Sequence, residues 1–128
     1  MYGLLFQPMR IGALELKNRL VMPAMNSHLA DGEHHFTDQA LNYYGERALG
    51  GFGLQITEFL CVSEEGLAYP MQAGIYDDRF IPSLKRLTER IHRNGGRIFA
   101  QLHHAGRIQG RGSTGLAAVG ASAIPDRA

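Results

Sequence analysis

Hydrogen-bonding side chains gather at the end of one apolar segment. Residues 97–102 are mostly apolar and predict a buried β-strand. The polar side chains at its end and just beyond it are Gln101, His103, His104 and Arg107. A carboxamide can donate and accept hydrogen bonds at the same time, and an imidazole can transfer protons or bind a metal. The pattern indicates either a ligand site or side chains that cap the backbone of a loop.

Two earlier apolar segments end in a similar way. Residues 19–25 and residues 53–62 each predict a short buried strand. Polar and aromatic side chains follow or close them: Asn26, Ser27 and His28 after the first, and Glu58 and Phe59 in the second. The carboxyl ends of parallel strands meet at one edge of a sheet, where ligands bind. We therefore predict that the three groups converge on one rim and contact a ligand there.

Two helical segments separate the three strands. The first is predicted over residues 38–49, with Thr37 as the N-cap and Asp38 at the positive end of the helix dipole. The second is predicted to begin near Pro82 and to end at residues 94–96. Strand, loop and helix repeat at intervals of roughly 30–40 residues, which favours a parallel α/β sheet. Both a doubly wound sheet and a (β/α)8 barrel fit this order.

The length of the chain limits the architecture. It has 128 residues, of which 45% are hydrophobic and 20% are charged, as in a globular domain. A barrel needs about 250 residues, so the chain can supply about three of its eight units. We expect a truncated N-terminal segment, residues 1–128, that the rest of the barrel or a homo-oligomer partner completes. Its lead-in, residues 1–19, is predicted to contain a short hairpin that turns at Gly12 and Ala13. A free-standing three-stranded domain is the alternative.

Charge and cysteine content exclude several classes of partner. The formal net charge is +1 and the basic residues are scattered, so neither nucleic acid nor an anionic membrane is an expected partner. No apolar run reaches the roughly 18 residues of a membrane span. Cys61 is the single cysteine and cannot form an internal disulfide, which favours a cytoplasmic location. Its apolar neighbours predict a buried, unreactive thiol.

Four stretches of the sequence resemble the old yellow enzyme family. They are "LLFQPMRIGALELKNRLVMPAMN", "YYGERALGGFGLQITE", "IHRNGGRIFAQLHHAGR" and "GASAIP", which occur in the family's order over residues 4–125. Members of this family are FMN-dependent ene-reductases, including 2,4-dienoyl-CoA reductases and 2-enoate reductases. Their fold is a (β/α)8 barrel with FMN at the carboxyl rim and a short hairpin at the other end. The resemblance implies the N-terminal part of such a barrel and favours the barrel over the doubly wound sheet.

The resemblance also implies which residues hold the flavin. The cofactor-binding positions are Pro23, Ala24, Met25, Asn26, Phe59 and Gln101. Gln101 matches the glutamine whose amide pairs with the pyrimidine edge of the flavin, and Phe59 stands where relatives have a small residue. Asn26 replaces the usual Thr or Cys, so we expect its amide N–H to stabilise the reduced flavin and raise its potential. His28 matches a position at which some relatives place a substrate-contacting Tyr.

The reaction that the resemblance implies has two halves. NADH or NADPH reduces FMN, and the reduced flavin passes a hydride to an activated alkene such as a small unsaturated carbonyl compound. The catalytic residues of the family lie in later strands, so they are expected outside this chain. The order Pro-Ala-Met-Asn is similar to that of the long members, which add a 4Fe-4S cluster and a nucleotide-binding domain with FAD after the barrel.

Two other functions stay open. A metal-dependent barrel hydrolase would use His34, His35, His103 and His104. Two adjacent histidines on a strand point to opposite faces, however, which disfavours a shared metal. The other alternative is a non-catalytic, truncated half-barrel that binds FMN weakly.

Two features near the predicted rim have structural interpretations. Glu58 closes an apolar strand and is predicted to form a structural ion pair, in preference to acting as a catalytic acid; the candidate partners are Arg19, Arg47, Arg97 and Arg107. Residues 106–115, "GRIQGRGSTG", lack the Lys-Ser/Thr ending of a nucleotide-binding loop and predict a surface loop instead.

Overall fold

An antiparallel hairpin opens the fold. The structure is a computed structural model that describes residues 2–109 and 114–124. Strands β1 (Met9–Ile11) and β2 (Leu14–Leu16) pair with Met9 opposite Leu16. Gly12 turns the chain between them with a φ of 56°, a left-handed conformation that glycine adopts without steric cost. The predicted leading hairpin is therefore confirmed.

Three parallel strands form the main sheet. Their order is β3 (Val21–Met22), β4 (Leu54–Cys61) and β5 (Arg97–His103), which confirms the predicted parallel α/β arrangement. β3 is shorter than the predicted strand over residues 19–25, and it ends at Met22 because Pro23 has no N–H to donate to the ladder. The chain leaves the sheet at Pro23 and continues beyond the carboxyl end of β3.

Two helices cover one face of this sheet. α1 (Asp38–Leu49) begins where predicted, because Thr37 Oγ1 accepts a hydrogen bond from Ala40 N at 3.3 Å. α2 (Ile81–Arg93) has Pro82 in its first turn, as predicted. Both helices contribute to one buried apolar cluster with the sheet, whose largest fully buried members are Tyr44, Leu60, Leu87 and Ile91. Within the described ranges, no helix has the length and apolar character that crossing a membrane requires.

The ladder between β4 and β5 has a register shift at one point. Ile56 lies opposite Phe99 and Phe59 lies opposite Gln101, so three steps along β4 match two along β5. Thr57 stabilises this β-bulge, because its Oγ1 accepts a hydrogen bond from Gln101 N at 3.0 Å. Successive side chains along a strand point to opposite faces, and Leu60, the residue after Phe59, belongs to the apolar core on the helix side of the sheet. Phe59 and Gln101 therefore share the face of the sheet that looks away from the helices.

β5 is one of the two edge strands of the sheet in the described part of the chain, the other being β3. Phe99 and Leu102 are 41% and 64% exposed, whereas every residue of β4 is buried or half-buried. Parallel sheets are normally covered on both faces and continue to both sides. The described residues thus form three strands of a larger sheet rather than a closed one.

Candidate functional site

The three strand ends meet on one rim of the sheet. Asn26 follows β3, and its Oδ1 accepts a hydrogen bond from the Tyr69 hydroxyl at 2.7 Å. The Tyr69 ring packs edge-on against Phe59 at a centroid distance of 5.7 Å. Phe59 in turn lies opposite Gln101 in the ladder between β4 and β5. The structure brings the three predicted groups together, and Tyr69, in the loop after β4, links them.

Four rings line this rim, and we call them the aromatic row: His28, Tyr69, Phe59 and His103. The ring centroids of His28 and Tyr69 are 4.3 Å apart, and those of Phe59 and His103 are 4.1 Å apart. His28 has a φ of 53°, an uncommon conformation for a residue with a side chain. Such strain persists where surrounding contacts hold it, and it clusters at binding sites. The four rings of the aromatic row offer flat surfaces beside the polar strand ends.

Gln101 presents an exposed side-chain amide on the rim. Its side chain makes no hydrogen bond with any other residue that the structure describes, and it lies on the same face as Phe59. Its backbone N–H is held by Thr57, which fixes the strand beneath the side chain. A free carboxamide on a fixed strand can meet a donor and an acceptor of a bound heterocycle together.

The donor set on the rim fits a flat heteroaromatic group such as the ring system of FMN. Gln101 offers a donor and an acceptor, and Asn26 Nδ2 is left to donate because Tyr69 occupies the amide oxygen. Met25 is 51% exposed and offers apolar contact to a flat ring. The backbone of residues 23–26 has left the ladder, since β3 ends before it, so its polar groups can reach a ligand.

A buried glutamine that the sequence did not single out fixes the loop after β4. The Gln72 side chain is fully buried, and its Oε1 accepts a hydrogen bond from Ala68 N at 2.8 Å. Its Nε2 lies 3.2 Å from both Phe59 O and His103 Nδ1. Burial, aided by the charge of His104, lowers the pKa of His103 and favours the neutral imidazole that can accept this hydrogen bond. Gln72 thus ties the loop to β4 and β5.

Glu58 is buried but does not form the predicted ion pair. Its Oε2 accepts hydrogen bonds from the backbone N and the Oγ of Ser27, each at 2.7 Å. Its own backbone N donates to the Tyr44 hydroxyl at 2.8 Å. No arginine of the described residues lies within ion-pair distance of this carboxylate, and Arg47, a predicted partner, stacks on Tyr43 at 3.5 Å. The ion-pair prediction is wrong, because donors from the loop after β3 stabilise the carboxylate instead.

The histidines considered for a metal site are engaged separately. No three His, Cys, Asp or Glu side chains in the described ranges are placed to hold a metal ion. His34 Nδ1 lies 3.0 Å from Gln72 O, and His104 Nε2 lies 4.0 Å from a Glu65 carboxylate oxygen. His103 belongs to the aromatic row, where its ring packs against that of Phe59. This geometry gives no support to a metal-dependent hydrolase.

Two further predictions concern a thiol and a loop. Cys61 is buried, and its Sγ donates to Ser63 O at 2.8 Å. Burial raises the pKa of the Cys61 thiol, which keeps it protonated and poorly nucleophilic.

The predicted surface loop lies partly outside the described residues, because residues 110–113 are not described. Its described beginning is a short 3-10 helix, Gly106–Ile108, without buried side chains.

The fold and the rim define the class of this chain. A leading hairpin, parallel strands in chain order, helices on one face and polar strand ends on one edge agree with the first units of a (β/α)8 barrel, a fold that binds its ligands at the carboxyl rim. The sequence profile of the NADH:flavin oxidoreductase / NADH oxidase family matches residues 4–123. The chain therefore belongs to this family, and the predicted resemblance to old yellow enzyme is confirmed.

The chain is similar to known proteins over most of its length. It is 41% identical over 126 residues to a metal reductase of Desulforamulus reducens, covering 98% of this chain and 18% of that protein. It is 39% identical over 123 residues to an NADH oxidase of Thermoanaerobacter brockii, covering 94% and 19%. The old yellow enzyme homologue of Zymomonas mobilis superposes with a TM-score of 0.87 at 38% identity, covering 94% of this chain and 33% of that structure. The chain thus spans less than a fifth of the two curated relatives, in agreement with a partial barrel.

Proposed function

We propose that this chain supplies flavin-binding elements of an FMN-dependent oxidoreductase of the ene-reductase type. The observation that carries the proposal is the rim, where Asn26, Phe59 and Gln101 from three strand ends are linked on one side of one sheet. FMN, when bound, would accept a hydride from NADH or NADPH and pass a hydride to the β-carbon of an activated alkene. The residues of this chain would bind the ring, orient it and set its charge environment.

The amides and the segment after β3 would hold the ring. Gln101 would pair with the pyrimidine edge through both ends of its exposed carboxamide. Met25 would pack on the ring system, and the backbone of Pro23 and Ala24 would reach its polar edge. Asn26 would donate from Nδ2 to an acceptor on the ring, which stabilises negative charge there.

Phe59 and His28 would border the flavin and the substrate. Phe59 stands where the family resemblance implies a small residue, and its ring packs against His103 at a centroid distance of 4.1 Å. It would therefore narrow the site on the side of β4. His28, held at positive φ against Tyr69, would contact the substrate, for which we propose a small unsaturated carbonyl compound.

The rest of a barrel would complete the site. The groups that polarise the substrate would come from later strands, and about five further units would cover the open edge of β5. Because this chain matches only 18% and 19% of the curated relatives, a long protein with a 4Fe-4S cluster and FAD is part of the proposal.

The complete protein that carries this segment provides the test. We expect it to be yellow when purified and to release FMN on denaturation. Under anaerobic conditions it should oxidise NADH or NADPH when an α,β-unsaturated ketone is supplied. A colourless protein that takes up no FMN would contradict the proposal.

A pair of substitutions tests whether Gln101 contacts the flavin. Gln101→Glu keeps the shape of the side chain but removes its N–H donor, so FMN binding should weaken about tenfold, or about 1.4 kcal/mol. Gln39→Glu makes the same change at an exposed position of α1 and should leave FMN affinity unchanged. Affinity is measured by flavin fluorescence during titration of the apoprotein. Equal affinities of the two variants would remove Gln101 from the site.

A further inference from the structure

We propose that Tyr69 is a positioning residue whose hydroxyl holds the oxygen of the Asn26 amide and thereby turns the Asn26 N–H donors toward the flavin. The role rests on the proposed function, since Asn26 is the group that the flavin would meet. Tyr69 is not one of the predicted cofactor-binding positions, and it acts through Asn26.

The Asn26 amide has two ends of opposite chemistry. Its oxygen only accepts and its nitrogen only donates, and a half-turn about the last side-chain bond exchanges them. Asn26 is exposed, so packing does not decide which end points outward. The Tyr69 hydroxyl, 2.7 Å from Oδ1, is its one side-chain hydrogen-bond partner among the described residues. This hydrogen bond therefore selects the orientation of the amide.

The Tyr69 hydroxyl stays protonated and so can always donate a hydrogen bond. Burial raises the pKa of Tyr69, and the nearby Glu58 carboxylate raises it further, so the hydroxyl keeps its proton at any ordinary pH. Asn26 Oδ1 is the acceptor that the described part of the chain offers to this proton. If the amide were reversed, the hydroxyl would lose that acceptor inside a partly desolvated site. The geometry thus favours the amide oxygen toward Tyr69 and the amide nitrogen toward the ligand.

Tyr69 is itself held in place. Its ring packs against His28 at a centroid distance of 4.3 Å and against Phe59 at 5.7 Å. Its backbone O accepts a hydrogen bond from Gln72 N at 3.3 Å, and the buried Gln72 side chain ties the loop to β4. The hydroxyl therefore has a fixed position relative to the strand ends. A donor that is oriented in advance needs no rearrangement when negative charge develops on a bound ligand.

The reduction potential of the flavin in the complete, FMN-loaded protein tests this role. Tyr69→Phe removes the hydroxyl and keeps the ring, so the Asn26 amide becomes free to present either end. We expect the preference for reduced flavin to fall about tenfold, or about 30 mV for a two-electron couple, in a spectroelectrochemical titration. Tyr76→Phe is the matched control and should leave the potential unchanged, because the Tyr76 hydroxyl contacts Arg79 in the same loop instead.

Asn26 provides the second arm of the test. Asn26→Ala should lower the potential by a similar amount, and Tyr69→Phe should add nothing in that background, because Tyr69 acts through the amide. An unshifted potential in either single variant, or additive shifts in the double variant, would overturn the positioning role. Because FMN is bound in those cases, the proposed function would stand. A complete protein that takes up no FMN would overturn both.

Discussion

Two glutamines near the rim differ in burial, and their amides therefore differ in hydrogen bonding. Gln72 is fully buried and uses both ends of its amide on protein atoms, Ala68 N and Phe59 O among them. Gln101 is exposed, and neither end of its amide has a hydrogen-bond partner among the described residues. A buried amide without partners costs free energy, whereas an exposed amide is hydrated until a ligand replaces the water. The residue type alone therefore does not identify a ligand contact, and the hydrogen-bond partners do.

His103 should make the stability of the protein depend on pH. Burial lowers its pKa below that of an unfolded histidine, about 6.5, so the unfolded chain binds more protons than the folded chain between the two values. This contribution to stability is full above about pH 6.5 and is lost as the pH falls from there through the lowered pKa. We expect the thermal unfolding midpoint to hold above about pH 6.5 and to drop as the pH falls below that value.

Two histidine variants check this source of pH dependence. His103→Gln keeps an acceptor for Gln72 but does not titrate, so it should flatten this part of the stability profile. His92→Gln removes an exposed histidine of α2 and should keep the slope. A profile that His103→Gln leaves unchanged would place the pH dependence on another group.

Among the secondary-structure elements, the rim depends most on the β-bulge in β4. Thr57→Val keeps the side-chain volume but removes the acceptor of Gln101 N. Because position 57 is only 3% exposed, water cannot easily replace that acceptor. We expect the free energy of unfolding, measured with denaturant, to fall by about 1–2 kcal/mol. FMN affinity should fall as well, because the bulge sets the position of Gln101. Thr57→Ser keeps the hydroxyl and should retain most of both, so equal losses in the two variants would contradict this account.

The elements that local rules determine were predictable from the sequence. Thr37 and the apolar spacing of Leu41, Tyr44 and Ala48 predict a helix with the bounds that α1 has, and all three of these apolar-face residues are buried. The order of strand and helix predicts the parallel sheet, and the polar strand ends predict the rim. These features depend on neighbouring residues or on the order of strands and helices, and both can be inferred from one sequence.

The features that depend on contacts between distant residues were not predictable. The inserted residue of the bulge leaves no break in the apolar pattern of β4. Tyr69 and Gln72 lie in a loop whose path is set by the bridge between Cys61 and Gly74. Nothing in their local sequence distinguishes them from solvated loop residues, although both connect strand ends of the rim.

At the scale of the whole molecule, the sheet is buried at its centre and open at β5. Leu60 of β4 is buried under the helices, while Leu102, its partner on the same face of β5, is 64% exposed. An exposed parallel edge with apolar side chains is a template for pairing with another chain. In a complete barrel the next strand and helix would cover both the edge and this leucine.

The 128-residue chain on its own should therefore self-associate through β5. One substitution should reduce the self-association of the isolated chain but destabilise the complete protein. Leu102→Lys puts a charge on the edge strand, so the isolated chain should shift toward monomer in light scattering after gel filtration. In the complete barrel the same lysine would lie under the next helix and should lower the free energy of unfolding by about 3 kcal/mol. Leu49→Lys, at a position 68% exposed on α1, should change neither quantity. An isolated chain that stays monomeric at high concentration with Leu102 in place would mean that β5 does not need the covering that a barrel provides.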